Sequence, residues 1–353
     1  MSLLDKIKKN TTIKDTAILA NSKFFEAKDM VQTDIPVVNI ALSGDLEGGL
    51  TPGLTMWAGP SKHFKTAFSL LMAKAYQKKY PDSVILFYDS EFGTPKSYFS
   101  SFDIDMERVI HTPITDVEQL KFDIMIQLSN IERGERVMIV VDSIGNLASK
   151  KEVEDALDQK SAADMTRAKQ IKSLFRMVTP HLTLKDIPMV VVNHTYMEIG
   201  MFPKAIVGGG TGSYYSADNI FIIGRQQEKE GTELIGYNFI INVEKSRYVR
   251  EKARIPVTVR FDGGISKYSG LLEMALESGH VTKPKNGWYA KVSTKTGEIE
   301  GKNWRESETD CAEFWDSILE NETFKQWVRD NYTFGSAMTK AEDVVDDEAE
   351  EDV

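Results

Sequence analysis

The sequence predicts an α/β protein with a mostly parallel central sheet, preceded by a short N-terminal helix and followed by a small α+β module. Three observations carry that prediction. Between about residues 33 and 267, apolar runs of strand length alternate with helical periods, the signature of parallel strands joined by crossover helices. Before that stretch lies an amphipathic segment on a polar linker. After Ser269 the pattern tightens into a segment rich in aromatics at Trp288, Tyr289, Trp304 and Trp315.

Taken in order, Leu3, Leu4, Ile7, Ile13, Ala17 and Ile18 fall at helical spacing and predict a helix over 3–20, with a linker at 28–34. A terminal helix of this kind suits docking on a neighbouring subunit. Strands are predicted at 54–58, 84–88, 137–141, 189–192 and 220–223. Two further runs, 237–243 and 255–261, flank a basic turn and read as a hairpin. From Thr66 onward, Ala67, Phe68, Leu70, Leu71 and Ala75 give one helical period. Ile171, Leu174, Phe175, Val178 and Leu182 give another. The chain therefore divides into an N-terminal helix and linker over 1–32, a core over 33–268, a small domain over 269–335 and a tail over 336–353.

Hydrophobic residues make up 41% of the 353 and charged residues 27%, a globular balance, with no apolar run near the ~20 residues of a membrane helix. The order of MSLLDKIKKN, leucines before lysines, is wrong for a signal peptide. One cysteine, Cys311, excludes an internal disulfide and suggests a reducing compartment, so a cytoplasmic protein without a membrane partner is expected. The net charge of -10 argues against a nucleic-acid partner only until its distribution is read. Residues 342–353 carry eight acids and no base, and removing those eight leaves -2 on the remaining chain. Such an end reads as a solvated tail that can also compete with phosphates for basic sites on its own chain.

Gly59, Pro60, Ser61, Lys62, His63, Phe64, Lys65 and Thr66 join a predicted strand to a predicted helix. That is where a phosphate-binding loop belongs: backbone N–H groups and the helix N-terminus hold phosphates, a lysine reaches the outer ones, and a hydroxyl binds Mg²⁺. The usual glycine before the lysine is Phe64 here. A side chain at that position must avoid the left-handed conformation or carry a strain of ~1 to 2 kcal/mol. Alone, the segment reads equally as an ordinary strand-to-helix turn. Its companions are Asp142, an acid at the end of an apolar strand where carboxylates flank Mg²⁺, and Glu91, placed after the strand at 84–88 to polarise an attacking water.

These segments, in this order, resemble the RecA recombinases. The likeness runs through the loop at Gly59, the acids at 89–91, the run at 140–143, the run ending in His194 and the glycines beyond it. It is strongest toward the UvsX-like branch found in tailed bacteriophages, through the Phe-Lys form of the loop and segments such as 286–290, and spans roughly 21–315. The resemblance implies a RecA-like P-loop ATPase core using ATP and Mg²⁺. Lys65 and Thr66 would bind phosphate and metal, Asp142 would stand in the metal's outer shell, Glu91 would activate water and Tyr98 would stack on adenine. His194 stands where RecA proteins carry a glutamine that senses the γ phosphate, a departure that would make coupling sensitive to pH. Lys245 and Arg247 would reach the ATP of a neighbouring subunit.

The resemblance also implies a partner, DNA. The segment 195–212, read as lacking regular structure, corresponds to the second DNA-binding loop; Tyr196, Met197, Met201 and Phe202 suit insertion between bases, and Lys204 with Gly208, Gly209 and Gly210 suits approach to the backbone. The first loop is expected around 151–160, followed by a helix with Arg167, Lys169, Lys172 and Arg176, the last three on one face. Implied with these are a helical filament on single-stranded DNA, pairing with a duplex, and a recombination mediator and single-strand-binding protein as partners. A hexameric helicase and a non-catalytic filament accessory are the competing readings. The helicase requires a larger N-terminal collar than ~30 residues supply.

Overall fold

The computed structural model describes residues 2–13, 15–25, 28–158, 166–198 and 203–334. Its strands are β1 (Gly53–Ala58), β2 (Val84–Asp89), β3 (Val109–Pro113), β4 (Val137–Asp142), β5 (Pro188–Asn193), β6 (Thr195–Met197), β7 (Ala205–Val207), β8 (Asn219–Glu230), β9 (Glu233–Ser246), β10 (Arg254–Arg260), β11 (Gly264–Ile265), β12 (Val281–Lys285), β13 (Trp288–Val292) and β14 (Ile299–Arg305). The helices are α1 (Leu3–Asn10), α2 (Pro36–Ser43), α3 (Lys65–Lys79), α4 (Lys96–Ser101), α5 (Val117–Asn130), α6 (Lys150–Leu157), α7 (Thr166–Lys185), α8 (Thr211–Ser216), α9 (Leu271–Glu277), α10 (Ala312–Leu319) and α11 (Glu322–Tyr332).

Nine strands form one sheet in the order β11-β10-β9-β8-β1-β5-β4-β2-β3. From β8 through β1, β5, β4 and β2 to β3 the pairings are parallel, while β8 to β11 are antiparallel. All five predicted core strands and the β9–β10 hairpin are present. Strand β1 is buried along its whole length because both of its faces are covered. Trp57 faces a cluster with α2 and α3, whereas Leu54, Met56 and Ala58 face a second cluster built from α5 and α7. The parallel strands therefore all deliver their carboxyl ends to one edge, where ligands of such sheets bind.

Several expectations are corrected. The helix expected over 3–20 ends at Asn10, since the following Thr11 and Thr12 favour extended backbone; only α1, capped by Ser2 and Asp5, remains. The loop expected at 151–160 is largely α6, whose start is set by a reciprocal cap between Ser149 and Glu152; 159 and 160 lie outside the described residues. The segment 195–212 is not without regular structure. Strands β6 and β7 pair as a two-stranded ribbon and α8 follows at once. The strand expected at 220–223 runs on to Glu230 and folds back through Gly231 (φ 61°) into β9. Strand β3 lies outside the strands that the sequence predicts.

The C-terminal module consists of the three-stranded sheet β12-β13-β14 and helices α9 to α11. Its Leu271, Trp315 and Phe324 belong to the same apolar cluster as Val37 and Val38 of α2. Arg329 pairs with Asp45 at 3.1 Å and Lys325 with Glu47 at 2.7 Å, so the module is docked on the core. Among the described residues, no helix is long and apolar enough to cross a membrane.

Candidate nucleotide and nucleic-acid site

At the carboxyl edge of the sheet, the loop after β1 turns directly into α3. Lys65, only 6% exposed, donates from Nζ to the Pro60 carbonyl at 2.7 Å. Burial pushes its ammonium below the usual lysine range, while the carboxylates of Glu91 and Asp142 pull it back up. Thr66 donates from Oγ1 to Oδ2 of Asp142 at 2.7 Å. The other oxygen of Asp142, Oδ1, is buried with no partner among the described residues. An orphaned carboxylate oxygen beside a threonine hydroxyl offers the oxygen ligands a hard divalent cation takes, and the lysine next to them suits the phosphates that carry it, so these residues fit Mg²⁺ bound with a nucleotide. Burial first, then the charges of Glu91 and Asp89, raise the Asp142 carboxyl to about 6.

Glu91 has the opposite environment. Its Oε1 accepts from the Ser143 hydroxyl at 2.5 Å and lies 3.1 Å from Nε2 of His194. The His194 contact, then the Ser143 hydroxyl, hold this carboxyl below its ordinary range against the effect of burial. Asp89 fixes the turn that presents Glu91, accepting from the backbone N–H groups of Glu91 and Phe92 at 2.9 and 2.8 Å. The imidazole of His194 lies against Gly145, where a Cβ would come within 2.3 Å of the ring. Only glycine fits there.

Lys65, Thr66, Glu91, Tyr98, Asp142 and His194, from four separate segments, line a single cleft of about 310 Å³ together with Ser61, Lys62, His63 and Phe64. Every residue expected to act on nucleotide within one subunit, apart from Gly59 and Pro60 at the loop's start, is therefore brought to one place. Phe64 adopts the left-handed conformation (φ 61°, ψ 15°), so the strain foreseen for a side chain at this position is present. Nothing in the sequence marks Ser143 as a partner of Glu91, although it directly follows Asp142.

The DNA-facing candidates are distributed more widely. Tyr196 and Met197 on β6 are 55% and 59% exposed, and Lys204 is exposed beside them. Met201 and Phe202 lie outside the described residues. The ribbon is clamped to the end of β5: Gly208 donates to the His194 carbonyl at 2.9 Å, and Asn193 donates to the Gly208 carbonyl at 2.8 Å. Gly209 and Gly210 have positive φ and lead into α8. Lys169, Lys172 and Arg176 are exposed on α7 as expected. Arg167 is different: its guanidinium donates to the carbonyls of Ile144, Gly145 and Leu147, which ties it to the turn after β4 instead of leaving it to a phosphate.

Lys245, expected within the hairpin turn, instead lies in the last residues of β9, paired opposite Ile220. Its Nζ donates to the Tyr214 carbonyl at 2.7 Å, at the end of α8. Arg247 forms an ion pair with Asp218 and lines a cleft with Lys172 and Arg176. Both cations lie away from their own subunit's nucleotide cleft.

A strand-to-helix loop with Lys-Thr, a strand-end aspartate bonded to that threonine and a glutamate across the cleft define a P-loop nucleotide-binding core. Family comparisons narrow the class. Residues 4–266 match the family model for the RecA N-terminal domain, and residues 268–328 match that for the C-terminal domain of the bacteriophage T4 recombination and repair protein. The recombination and repair protein of Enterobacteria phage T4 is 53% identical over 338 residues, covering 95% of this chain and 86% of that one. A RecA protein of Syntrophus aciditrophicus (strain SB) is 25% identical over 280 residues, 77% of this chain and 79% of that one. One from Synechococcus sp. (strain CC9902) is 23% identical over 273 residues, 76% and 70% of the two chains. The chain belongs to the RecA family of recombinases, on the branch of the T4 protein, and is a recombinase of DNA recombination and repair.

Proposed function

We propose that this chain is a DNA-dependent ATPase that assembles as a helical filament on single-stranded DNA, pairs it with a homologous duplex and exchanges strands. The observation that carries this reading is the single cleft shared by Lys65, Thr66, Glu91, Asp142 and His194, together with the clamp that joins His194 to the exposed ribbon. Lys65 and the loop N–H groups would hold the β and γ phosphates of ATP, and Tyr98 the adenine. Thr66 and Asp142 would hold Mg²⁺, which neutralises charge on the transferring phosphoryl group. Glu91, ionised at neutral pH, accepts a proton from the water that attacks the γ phosphate in line, and ADP and phosphate leave.

DNA would lie along Tyr196, Met197, Lys204 and the glycines at 208–210, with Lys169, Lys172 and Arg176 tracking phosphates in a sequence-independent way. Because the His194 backbone holds Gly208 while its ring faces Glu91, a change at either end is felt at the other. Lys245 and Arg247 would complete the neighbour's site, making turnover depend on assembly. Residues 1–32 would dock on that neighbour: Leu3, Leu4 and Ile7 are 74%, 55% and 63% exposed on α1. Phe122 and Ile126 on α5 and Ile110 on the edge strand β3 are exposed apolar side chains of the same chain that such a contact would cover. The single cysteine and the phage origin of the T4 relative support action in the host cytoplasm.

Electron microscopy of the protein with single-stranded DNA and ATP, coupled to a joint-molecule assay, tests this reading. Helical filaments and joint molecules are expected from the parent and neither from Lys65→Ala. Rings, or coated DNA without joint molecules, would favour the helicase or the accessory reading.

A further inference from the structure

The nucleotide loop contains two non-glycine residues in the left-handed conformation, Lys62 (φ 62°) and Phe64 (φ 61°). Nothing within the loop compensates for either. Its one internal side-chain contact besides that of Lys65 is His63 Nδ1 to the Ser61 carbonyl, which constrains neither. Compensation comes instead from the antiparallel edge of the sheet. Arg225 on β8 and Phe239 on β9 are directly opposed across the strands and so project from the same face. Arg225 donates from Nη1 to the Lys62 carbonyl at 3.2 Å. The ring of Phe239, 4% exposed, stacks on Phe64 with centroids 4.9 Å apart and planes 17° apart.

Each strained residue is thus held by one member of a single cross-strand pair. The pair is itself fixed: the Arg225 guanidinium sits 4.8 Å above the ring of Tyr237, which packs edge-on against Phe261 at 5.7 Å. Phe64 also meets Phe68 of α3 edge-on at 5.5 Å, so its ring joins the hairpin to the first turn of that helix. A glycine in place of Phe64 would adopt the same backbone without help.

We propose that Arg225 and Phe239 are positioning residues for nucleotide binding, a brace that holds the phosphate loop in its binding conformation where other loops of this kind rely on glycine. The inference rests on reading 59–66 as a phosphate loop. Its distinctive consequence is conditional. The Phe239 half of the brace matters only while a side chain at 64 must be kept left-handed, so removing the need for it removes its effect, whereas Arg225 still serves Lys62.

The test is equilibrium binding of a fluorescent ATP analogue with Mg²⁺ to the full chain, with thermal unfolding as a check on folding. Loss of binding in Lys65→Ala establishes that this loop takes the nucleotide; unchanged binding would overturn that underlying reading. Phe239→Leu keeps the apolar volume and loses the stack, and is expected to weaken binding about 3- to 10-fold, the loss an aromatic pair of this kind represents. Arg225→Gln is expected to act in the same direction. In a Phe64→Gly background, and in Phe64→Asn, which also tolerates a left-handed backbone, Phe239→Leu is expected to change affinity by less than about 2-fold. Equal losses in all backgrounds, no loss in the parent background, or abolished binding in both residue-64 variants would each overturn the brace.

Discussion

Replacing Asp142 by asparagine tests the electrostatic description of the cleft most directly, because the substitution separates stability from function. Asp142 is 3% exposed, and its carboxyl is raised from 3.8 to about 6, chiefly by burial. A folded-state pKa above the unfolded value means the native state prefers the neutral acid. That preference is complete below the unfolded value and is lost as pH rises through about 6. At about 1.4 kcal/mol per pKa unit, the ionised carboxylate costs the ligand-free protein about 3 kcal/mol at pH 8. Asparagine avoids this cost but leaves an amide where Oδ1 has no partner, at ~1 to 3 kcal/mol. The net effect at pH 8 is therefore near zero, and its pH dependence is the firmer quantity. On moving from about pH 8 to 4.5 the parent should gain about 2 kcal/mol relative to Asp142→Asn. Urea unfolding with a chelator present, followed by tryptophan fluorescence across that range, measures the difference. Addition of ATP and Mg²⁺ at pH 8 should then raise the Tm of the parent and not of the variant. Parallel pH profiles would refute the claim that burial dominates at this carboxylate.

Glu91 gives the converse prediction: its contacts with His194 and Ser143 lower its pKa, so His194→Gln or Ser143→Ala should move the acid limb of the ATPase profile to higher pH; an unshifted limb would count against Glu91 as the base. Lys245→Ala and Arg247→Ala should each lower DNA-stimulated hydrolysis by roughly 10³-fold while single subunits still bind ATP, and full activity would remove the assignment in trans. For single-stranded DNA, Lys172→Ala should weaken binding and reduce the salt slope by about 0.7, as for one lost phosphate contact; an unchanged slope would take Lys172 off the DNA path.

What the sequence made legible was decided by the range of the forces involved. The apolar runs of β1, β2, β4 and β5 are buried along nearly their whole length, so composition alone marks them as strands, and the acids that end β2 and β4, Asp89 and Asp142, necessarily reach the ligand edge. Strand β3 escaped because it is an edge strand whose residues are largely exposed, leaving little apolar signal. Helix α6 was not legible as a helix because its start rests on a local cap between Ser149 and Glu152, three apart, which outweighs the polar character of the residues after it. Arg167 looked like the other bases of its helix, and only the packed structure shows it turned back on three carbonyls. Arg225 and Phe239 carry no local mark at all. They meet the loop across more than 160 positions of chain, through a hairpin whose first strand was expected to end at Ile223.

The same cleft holds two acids, Asp142 at the end of β4 and Glu91 just beyond the end of the adjacent β2, in opposite states, and that contrast supports the roles proposed for them. Glu91 accepts a hydroxyl hydrogen bond and faces an imidazole, so it remains charged when nothing else is bound and can take a proton from water. Asp142 is buried with one donor and a second oxygen that has no partner among the described residues, so its charge is unfavourable until a cation supplies what is missing. Environments that push two carboxyl pKa values apart distinguish a base from a metal partner. Exchanging the two surroundings, rather than the two residues, is what would exchange their functions. Ser143 adjoins Asp142 in sequence yet serves Glu91, so one strand end sustains both states at once.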